Sequence, residues 1–283
     1  MSFAIVTPSF NKEKYLRRCL VSVLEQNHPD VSYWVLDNCS TDGSARILEE
    51  TLRKYPGRVE VIVETDGGQS DAINRGFSLA KGEIMAWLNA DDSYLPDTLS
   101  RVEEFFQKNP HVDLVYGKTR ILTGNYSVVG SFPARTPDLH LLKSFDYISQ
   151  PAAFWRRRVW ESVGPLDVDL YWGMDWDFFL RACKQFRVAF LDQYLAEAVC
   201  DGDHKSAQRS STLTKELALI GRRHDGFLNP THLFCQFILL VNWFARPFLR
   251  HRATAPMTMR IIESLRSRSM TFLSRVFDVH VMS

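Results

Sequence analysis

Short apolar runs alternate with amphipathic segments over the first hundred residues. Buried strands are predicted where the apolar runs fall, at Phe3–Thr7, Val31–Leu36, Val59–Val63 and Ile84–Leu88. The segments between them carry apolar residues at helical spacing, such as Leu16 and Leu20 after the first run. Strand–helix repeats of this length predict an α/β fold, with a Rossmann-like, mostly parallel sheet flanked by helices.

Polar residues mark the predicted helix starts. Asn11 stands just before the first helix, and we expect it to act as the N-cap. Asp42 lies in a turn sequence before the second helix, which favours a capping role over a ligand-binding one. The third helix follows a turn that contains Gly67 and Gly68.

The pattern changes beyond Pro110, where glycine and asparagine interrupt shorter apolar runs. Further strands are predicted at Val112–Tyr116, Lys118–Leu122, Ser127–Phe132, Ala152–Trp155, Val188–Leu191 and Ala196–Cys200. A helix is predicted over Asp175–Phe186, and from Thr212 onward the pattern is helical, with segments at Thr231–Leu249 and Met257–Phe277. We therefore expect an α/β domain over residues 1–215 and a basic helical region over 216–283.

Composition places the chain among globular proteins, because 45% of its residues are hydrophobic and 24% are charged. The net charge of +1 argues against nucleic acid as a partner, but it hides an uneven distribution. Residues 1–219 hold 25 Lys+Arg and 30 Asp+Glu, whereas residues 220–283 hold nine Arg, no Lys and three acids. Five cysteines without a CxxC pair, and a start without signal-peptide features, favour a cytoplasmic location.

Acids and amides gather where the first four predicted strands end. In an open parallel sheet, ligands bind beyond the carboxyl ends of the strands, where the strand order switches. The residues in question are Thr7, Pro8 and Asn11 after the first strand, Asp37 and Asp42 after the second, Asp66 to Asp71 after the third, and Asn89 to Asp92 after the fourth. A dinucleotide site is disfavoured, because the first of these junctions contains no glycine.

The group Asn89-Ala90-Asp91-Asp92 has two interpretations. One or two carboxylates at the end of a buried strand suit Mg²⁺ or Mn²⁺, with diphosphate oxygens completing the shell. Two adjacent aspartates before Pro96 also fit a helix N-cap. The three other polar junctions favour the metal interpretation.

Five segments, in this order, resemble the inverting glycosyltransferases of family 2, which have the GT-A fold. The segments are TPSFNKEKYLRRCLVSVLEQ, VLDNCSTDGS, DGGQSDAINRG, the DxD-like LNADD, and QPAAFWRRRVWESVGPLD followed by GMDWDFFLRA. The resemblance spans residues 3–210 and implies that residues 1–215 form the catalytic domain. It departs from the family at Asn89, the first position of the DxD motif, and at Met174, where the family has a glutamate.

The resemblance implies a role for each matching residue. Asp175 would be the general base, and Asp91 would bind the metal, Mn²⁺ or Mg²⁺, with Asp92 as its near alternative. His204 would contact the metal or the diphosphate, with help from Lys205. The residues implied in binding the nucleotide sugar are Thr7, Pro8, Asn11, Asp37, Gly67, Gly68, Asp71 and Asn89.

Structural alternatives stay open for several of these residues. Asp37 also fits a turn acid, and Asp71 fits a first-turn acid favoured by the helix dipole. His204 alone is typical of a surface histidine, and Asp175 and Asp177 lie two apart on a helix, so that one of them faces the site easily.

The basic C-terminal region has two interpretations as well. The stretch over residues 233–249 is aromatic and apolar but interrupted, and shorter than the about 20 residues of a spanning helix. With arginines in and after it, it fits a helix lying in the membrane interface, or one packed on the body or on a second subunit.

The expected function is inverting, metal-dependent transfer of a sugar from a nucleotide-diphosphate donor to a hydroxyl acceptor. The resemblance points to cell-surface glycan synthesis, with a glycan or lipid-linked acceptor, in the cytoplasm or peripherally on the inner face of the cell membrane. A non-catalytic sugar-nucleotide-binding or scaffold protein of the same fold is the alternative, favoured by Asn89 and Met174.

Overall fold

The computed structural model describes residues 1–200 and 211–225. His204, Lys205 and the helices predicted at Thr231–Leu249 and Met257–Phe277 lie outside the described residues. The chain divides into two compact units, one of Met1–Leu139 with Asp146–Gln208 and the other of His140–Phe145 with the chain from Arg209 onward. The domain boundary at residue 215 stays a prediction.

The described residues form nine strands and eight helices. The strands are β1 (Phe3–Ser9), β2 (Val31–Asp37), β3 (Glu60–Val63), β4 (Ile84–Trp87), β5 (Asp92–Tyr94), β6 (Leu114–Leu122), β7 (Val128–Ser131), β8 (Ala153–Arg156) and β9 (Val188–Val199). The helices are α1 (Glu13–Leu24), α2 (Ser44–Lys54), α3 (Gln69–Leu79), α4 (Thr98–Lys108), α5 (Leu139–Leu142), α6 (Arg157–Val163), α7 (Met174–Gln185) and α8 (Ser211–Asp225). A short 3₁₀ turn covers Gln150–Ala152.

The strands form one sheet in the order β3-β2-β1-β4-β8-β6-β9-β5, with β7 paired to β6. The first four strands of this order are parallel, and β1 lies between β2 and β4. The other half is mixed, because β8 runs antiparallel to both β4 and β6 while β6 and β9 are parallel. The predicted α/β fold with a Rossmann-like sheet flanked by helices is confirmed.

Two groups of buried side chains hold helices against the sheet. Helix α1 buries its apolar stripe, including Leu16 and Leu20, in a cluster with residues of β1 and β2. A separate aromatic group contains Trp87 of β4, Trp155 of β8 and Phe178 of α7, with the Trp155 and Phe178 ring centroids 5.0 Å apart. This group fixes α7 against the centre of the sheet.

Helix α3 approaches the parallel half of the sheet closely. A Cβ atom at Gly76 would lie 2.4 Å from Cγ1 of Val6 and 2.9 Å from Cδ1 of Leu36. The helix therefore needs a glycine here, and the turn before it contacts the loop after β2, where the Asp66 amide donates to Asn38 Oδ1 at 3.0 Å.

The sequence predicted a break inside each of two strands, β6 and β9, and both breaks were wrong because strand pairing continues through them. β6 runs through Gly117 without a turn, with an irregular register between Tyr116 and Lys118. A Cβ at Gly117 would lie 2.6 Å from Cδ1 of Leu195, so this glycine serves close packing. β9 likewise runs unbroken across the exposed polar pair Asp192 and Gln193.

The predicted cap at Asn11 was wrong, and the capping alternative for Asp91 and Asp92 is not supported. Asn11 has φ 51°, and α1 begins after Lys12 in the N-cap position, so Asn11 is not the cap. Asp92 starts the short strand β5, paired with β9, and α4 begins later at Thr98. Within the described residues, no helix has the length and apolar character that crossing a bilayer requires.

Candidate active site

The loops that follow β1 and β2 are joined by Asn11. Its side-chain Oδ1 accepts a hydrogen bond from the Thr41 backbone N–H at 2.8 Å, and its own backbone N–H donates to Ser40 Oγ at 2.8 Å. The left-handed conformation that asparagine tolerates makes both bonds reachable. Asn11 therefore shapes the edge where a nucleotide is expected, while direct contact with the nucleotide stays a prediction.

The carboxylate of Asp42 accepts backbone amides at the starts of two helices. Its Oδ2 accepts from the Glu13 amide of α1, and its Oδ1 accepts from the Ser44 amide of α2, both at 2.9 Å. Burial opposes ionisation, but these hydrogen bonds outweigh it and lower the pKa of Asp42. Asp42 thus serves the helix starts rather than a ligand, although Gly43 and not Asp42 is the N-cap residue of α2.

Asp37 is buried at the end of β2 and closes a tight turn. Its two carboxylate oxygens accept from the amide and the hydroxyl of Ser40, at 2.8 and 2.7 Å. These contacts support the turn-acid interpretation, and contact with a base or ribose stays a prediction.

The third junction is a turn built from two carboxylates and two glycines. Asp66 Oδ1 accepts from the Gly68 amide at 2.8 Å, and Asp71 Oδ2 accepts from the Gly67 amide at 2.9 Å. Gly68 has φ 112°, a conformation that a side chain would strain. Burial, followed by the charges of Asp71 and Asp37, raises the pKa of Asp66.

Asn89, after β4, lies at the centre of a hydrogen-bond network. Its Oδ1 accepts from Gln69 Nε2 at 2.7 Å, and its Nδ2 donates to Gln150 Oε1 at 3.0 Å and to Asp92 Oδ2 at 3.3 Å. Gln150 in turn donates from Nε2 to the Trp87 carbonyl at 2.7 Å. The predicted ribose contact of Asn89 stays untested, and its amide here joins three segments of the chain.

Asp91 and Asp92 form a carboxylate pair that a lysine already contacts. Lys12 Nζ lies 2.7 Å from Asp91 Oδ2. Burial and then the neighbouring charge of Asp91 raise the pKa of Asp92 well above its usual range, while Asn89, Lys12 and Arg18 oppose the rise. A cation bound beside the two residues would stabilise the ionised form of both carboxyl groups.

The residues of this pair fit a divalent metal ion. They present hard oxygen donors, which Mg²⁺ and Mn²⁺ prefer, and Asp91 lies at the surface of the junction with its side chain 16% exposed. Within the described residues, no group of three or more His, Cys, Asp and Glu side chains forms a metal cluster. A metal ion here would therefore take further ligands from diphosphate oxygens and water.

Thr7, Pro8 and Ser9 form the end of β1. Thr7 is fully buried, and its hydroxyl lies 2.9 Å from the Tyr33 hydroxyl, so its side chain supports the junction from behind. Pro8 is half-buried. The buried Oγ of Ser9 has no hydrogen-bond partner, and a ligand at this strand end would satisfy it.

Asp175 and Asp177 differ in their surroundings, as their spacing predicts. Asp175 is half-buried at the start of α7, where its Oδ1 accepts from the Trp176 amide at 2.8 Å. Asp177 is 1% exposed and accepts from Arg181 Nε at 2.9 Å, which makes it a structural ion pair. Asp175 is therefore the better placed of the two for chemistry.

A chain of contacts links the start of α7 to the carboxylate pair. Met174, next to Asp175, has its sulfur 2.8 Å from Ser70 Oγ at the start of α3. The adjacent Gln69 bonds Asn89, which bonds Asp92. Where the family has a glutamate, Met174 is thus buried and serves packing between two helix starts.

Four residues of this region were missed by sequence reasoning: Lys12, Gln69, Asp146 and Gln150. Asp146 precedes the acceptor-side segment, and burial, followed by the charge of Asp175, raises its pKa well above the usual range. Its position just before the motif QPAAF was the one available signal. Lys12, Gln69 and Gln150 lie inside the segments quoted for the resemblance, but nothing local distinguishes them from their neighbours, because each bonds a partner far along the chain.

Comparison with known proteins defines the class of this site. The model of the family described as glycosyl transferase family 2 matches residues 4–164. A PGL/p-HBAD biosynthesis glycosyltransferase of Mycobacterium tuberculosis is 34% identical over 215 residues, or 76% of this chain and 81% of that protein. An uncharacterized glycosyltransferase of Nostoc sp. is 29% identical, and the aligned part spans 60% of its length.

Two solved structures share the fold. S. aureus TarS in complex with UDP-GlcNAc has a TM-score of 0.64 at 22% identity, covering 89% of this chain and 74% of that chain. The mannosyltransferase PcManGT from Pyrobaculum calidifontis, in complex with GDP-Man and Mn²⁺, has a TM-score of 0.61 at 18% identity, covering 95% and 79%. The fold and site thus define a glycosyltransferase with the GT-A fold, and a non-catalytic role is not favoured. The chain belongs to glycosyl transferase family 2.

The raised pKa of Asp146 predicts a pH-dependent effect of Asp146→Asn on stability. The folded chain holds this proton more tightly than the unfolded chain, so the carboxyl lowers stability as the pH rises above the usual aspartate pKa. We expect the variant to have a Tm about 2 °C or more above that of the wild type at neutral pH. The difference should shrink as the pH falls and vanish below about pH 3, where the carboxyl is protonated in both the folded and the unfolded chain.

The measurement is thermal unfolding across this pH range, with the exposed Asp169→Asn as the control for loss of one negative charge. An equal gain for both variants, or a gain that is independent of pH, would show that the Asp146 carboxyl is not held protonated.

Proposed function

We propose that this chain transfers a sugar, with inversion at the anomeric carbon, from a nucleotide-diphosphate sugar to a hydroxyl acceptor. The observation that carries the proposal is the chain of contacts from Met174 through Ser70 and Gln69 to Asn89 and Asp92. It connects the helix that carries Asp175 with the carboxylate pair at the ends of the parallel strands. A base for the acceptor and a charged group for the donor are thereby held in one region.

Asp175 acts as the base in this proposal. Its carboxylate takes the proton of the acceptor hydroxyl while that oxygen forms a bond to the anomeric carbon. The bond from the anomeric carbon to the diphosphate oxygen breaks on the opposite face, and the diphosphate leaves with the electron pair. The hydrogen bond from the Trp176 amide orients the carboxylate at the helix start.

A divalent metal ion, Mn²⁺ or Mg²⁺, bound at Asp91 or Asp92 would offset the charge of the leaving diphosphate. Lys12 supplies a further positive charge beside Asp91. His204 and Lys205 are proposed to reach the same diphosphate, in agreement with their place in the resemblance. The Mn²⁺ complex of the related fold supports metal use without assigning it to these residues.

The nucleotide is proposed to bind across the junctions after β1, β2 and β3. The left-handed Gly68 and its neighbour Gly67 leave room for close approach, and the unpartnered Ser9 hydroxyl offers a hydrogen bond. The remaining members of the proposed site are Thr7, Pro8, Asn11, Asp37, Asp71 and Asn89.

The acceptor is proposed to be a cell-surface glycan or its lipid-linked precursor, as the PGL/p-HBAD biosynthesis relative and TarS support. The nine arginines after residue 219 are proposed to bring the chain to the inner face of the cell membrane. Packing of this region on the body or on a second subunit is the alternative.

The first test is a screen of UDP-, GDP- and dTDP-sugars with Mn²⁺, Mg²⁺ or a chelator. We expect one nucleotide to raise the Tm by about 2 °C or more, with the larger shift when the metal is present, because ligands that bind the folded state stabilise it. Absence of a shift with every nucleotide would contradict the proposed function. An equal Tm shift in the presence of the chelator would contradict a role for the metal ion in donor binding.

The second test compares Asp175→Asn with Asp177→Asn. We expect Asp175→Asn to slow transfer or donor hydrolysis by about 10²-fold or more, with an unchanged nucleotide-induced Tm shift, because the base is lost but the donor site is intact. Asp177→Asn should instead lower the free energy of unfolding by about 1.5–3 kcal/mol, since it weakens the buried bond with Arg181. Normal turnover by Asp175→Asn would remove Asp175 as the base.

The third test addresses the membrane. We expect the full chain to co-sediment with vesicles that contain anionic lipid at low salt and to dissociate as salt rises, because salt screens the arginines. Neutral vesicles and a chain truncated after residue 225 are the controls. Equal sedimentation of the truncated chain would contradict a role for the basic region.

A further inference from the structure

Asn89 occupies the first position of the DxD-like motif, where the resembled family has a carboxylate. The oxygen of its side-chain amide accepts a hydrogen bond and the nitrogen donates two. We propose that Asn89 is a positioning residue that holds Asp92 and the acceptor-side Gln150 in fixed relation to the donor-side Gln69, and that aspartate at this position is inferior to asparagine. The inference rests on the proposed function, because it concerns the same site.

Asn89 uses both the oxygen and the nitrogen of its side-chain amide in hydrogen bonds. Gln69 Nε2 donates to Asn89 Oδ1, and the two hydrogens of Nδ2 are matched by Gln150 Oε1 and Asp92 Oδ2. Aspartate keeps an acceptor for Gln69 but has no hydrogen to donate to the other two. The network as built is therefore specific for an amide.

Gln150 cannot adapt to a carboxylate without loss. Its Nε2 already donates to the Trp87 carbonyl at 2.7 Å, and Gln150 is 6% exposed. Rotating its amide to donate toward residue 89 would point Oε1 at the Trp87 carbonyl, which leaves two acceptors facing each other. A buried acceptor that faces another acceptor instead of a donor is destabilising.

Aspartate at position 89 would also be unfavourable for Asp92. Its Oδ2 lies 3.3 Å from Asn89 Nδ2, and Asp91 is the residue before it in the chain. A carboxyl group at position 89 would bring a third acidic group against Asp91 and the buried Asp92, in surroundings where charges are weakly screened. Asparagine instead adds no acidic group and donates one hydrogen bond that orients Asp92.

The three segments that Asn89 joins come from different parts of the fold. Gln69 begins α3, Asp92 begins β5, and Gln150 begins the 3₁₀ turn before β8. In the proposed function these carry the nucleotide junction, the metal pair and the acceptor side. A residue that fixes all three sets the distance between the donor and the acceptor, which governs the rate more than donor binding.

The test compares Asn89→Asp and Asn89→Ala with the wild type. Asn109→Asp, at the end of α4, is the control for the same exchange at a half-buried site away from the network. Three quantities are measured: the Tm, the Mn²⁺ affinity by calorimetry, and the hydrolysis rate of the nucleotide sugar that most stabilises the wild type.

We expect Asn89→Asp to bind Mn²⁺ about threefold or more tightly, because a carboxylate is added, while hydrolysis at saturating donor slows by about tenfold or more. Asn89→Ala should slow hydrolysis to a similar extent without tighter metal binding. The control should match the wild type in the metal affinity and the rate. A gain in affinity with a loss of rate is a combination that general unfolding does not produce.

Hydrolysis by Asn89→Asp at or above the wild-type rate would overturn the inference, and so would parallel losses of Tm, metal affinity and rate. If Asn89→Asp does not fold, Gln150→Met removes the same link without adding charge. It should slow hydrolysis by about tenfold at unchanged donor KM and metal affinity, and an unchanged rate would overturn the inference. Failure of the proposed function is recognised separately, because the wild type itself would then hydrolyse no nucleotide sugar.

Discussion

The pairing of β1 with β2 on one side and β4 on the other is the constraint on which the site depends. Because β3, β2, β1 and β4 are parallel neighbours, their carboxyl ends reach the same edge, and the chain reverses its direction of growth at β1. Such a switch leaves a crevice between the loops on either side. Lys12 follows β1 and Asp91 follows β4, so their ion pair lies across this switch.

Most acids at this edge build loops, and few remain for chemistry. Asp37, Asp42, Asp66 and Asp71 each accept one or more backbone amides within tight turns or at helix starts. Carboxylates serve this purpose well, because a charged acceptor forms a stronger bond with an amide. The carboxylates left for chemistry are Asp91, Asp92 and Asp175.

Sequence reasoning predicted the parallel half of the sheet well and the mixed half less well. β1 to β4 are apolar runs bounded by turn residues, so local pattern and structure agree to within two residues. In β6 and β9, Gly117 and the pair Asp192 and Gln193 resemble breaks, but pairing between these two strands continues past them. Sheet pairing is a long-range property, which a window of neighbouring residues does not contain.

The site shows the same limit more sharply. Motif order predicted where Asp91, Asp92 and Asp175 lie, because each follows a recognisable strand or starts a helix. The residues that form hydrogen bonds in this site were not predictable. Lys12 bonds Asp91, which lies 79 positions away, and Gln150 bonds Asn89, which lies 61 positions away. An asparagine in an acidic motif looks like a weakened site when its sequence neighbours alone are considered. Beside a glutamine donor, a glutamine acceptor and a buried aspartate, the same asparagine has the matching polarity at each contact, because it both donates and accepts.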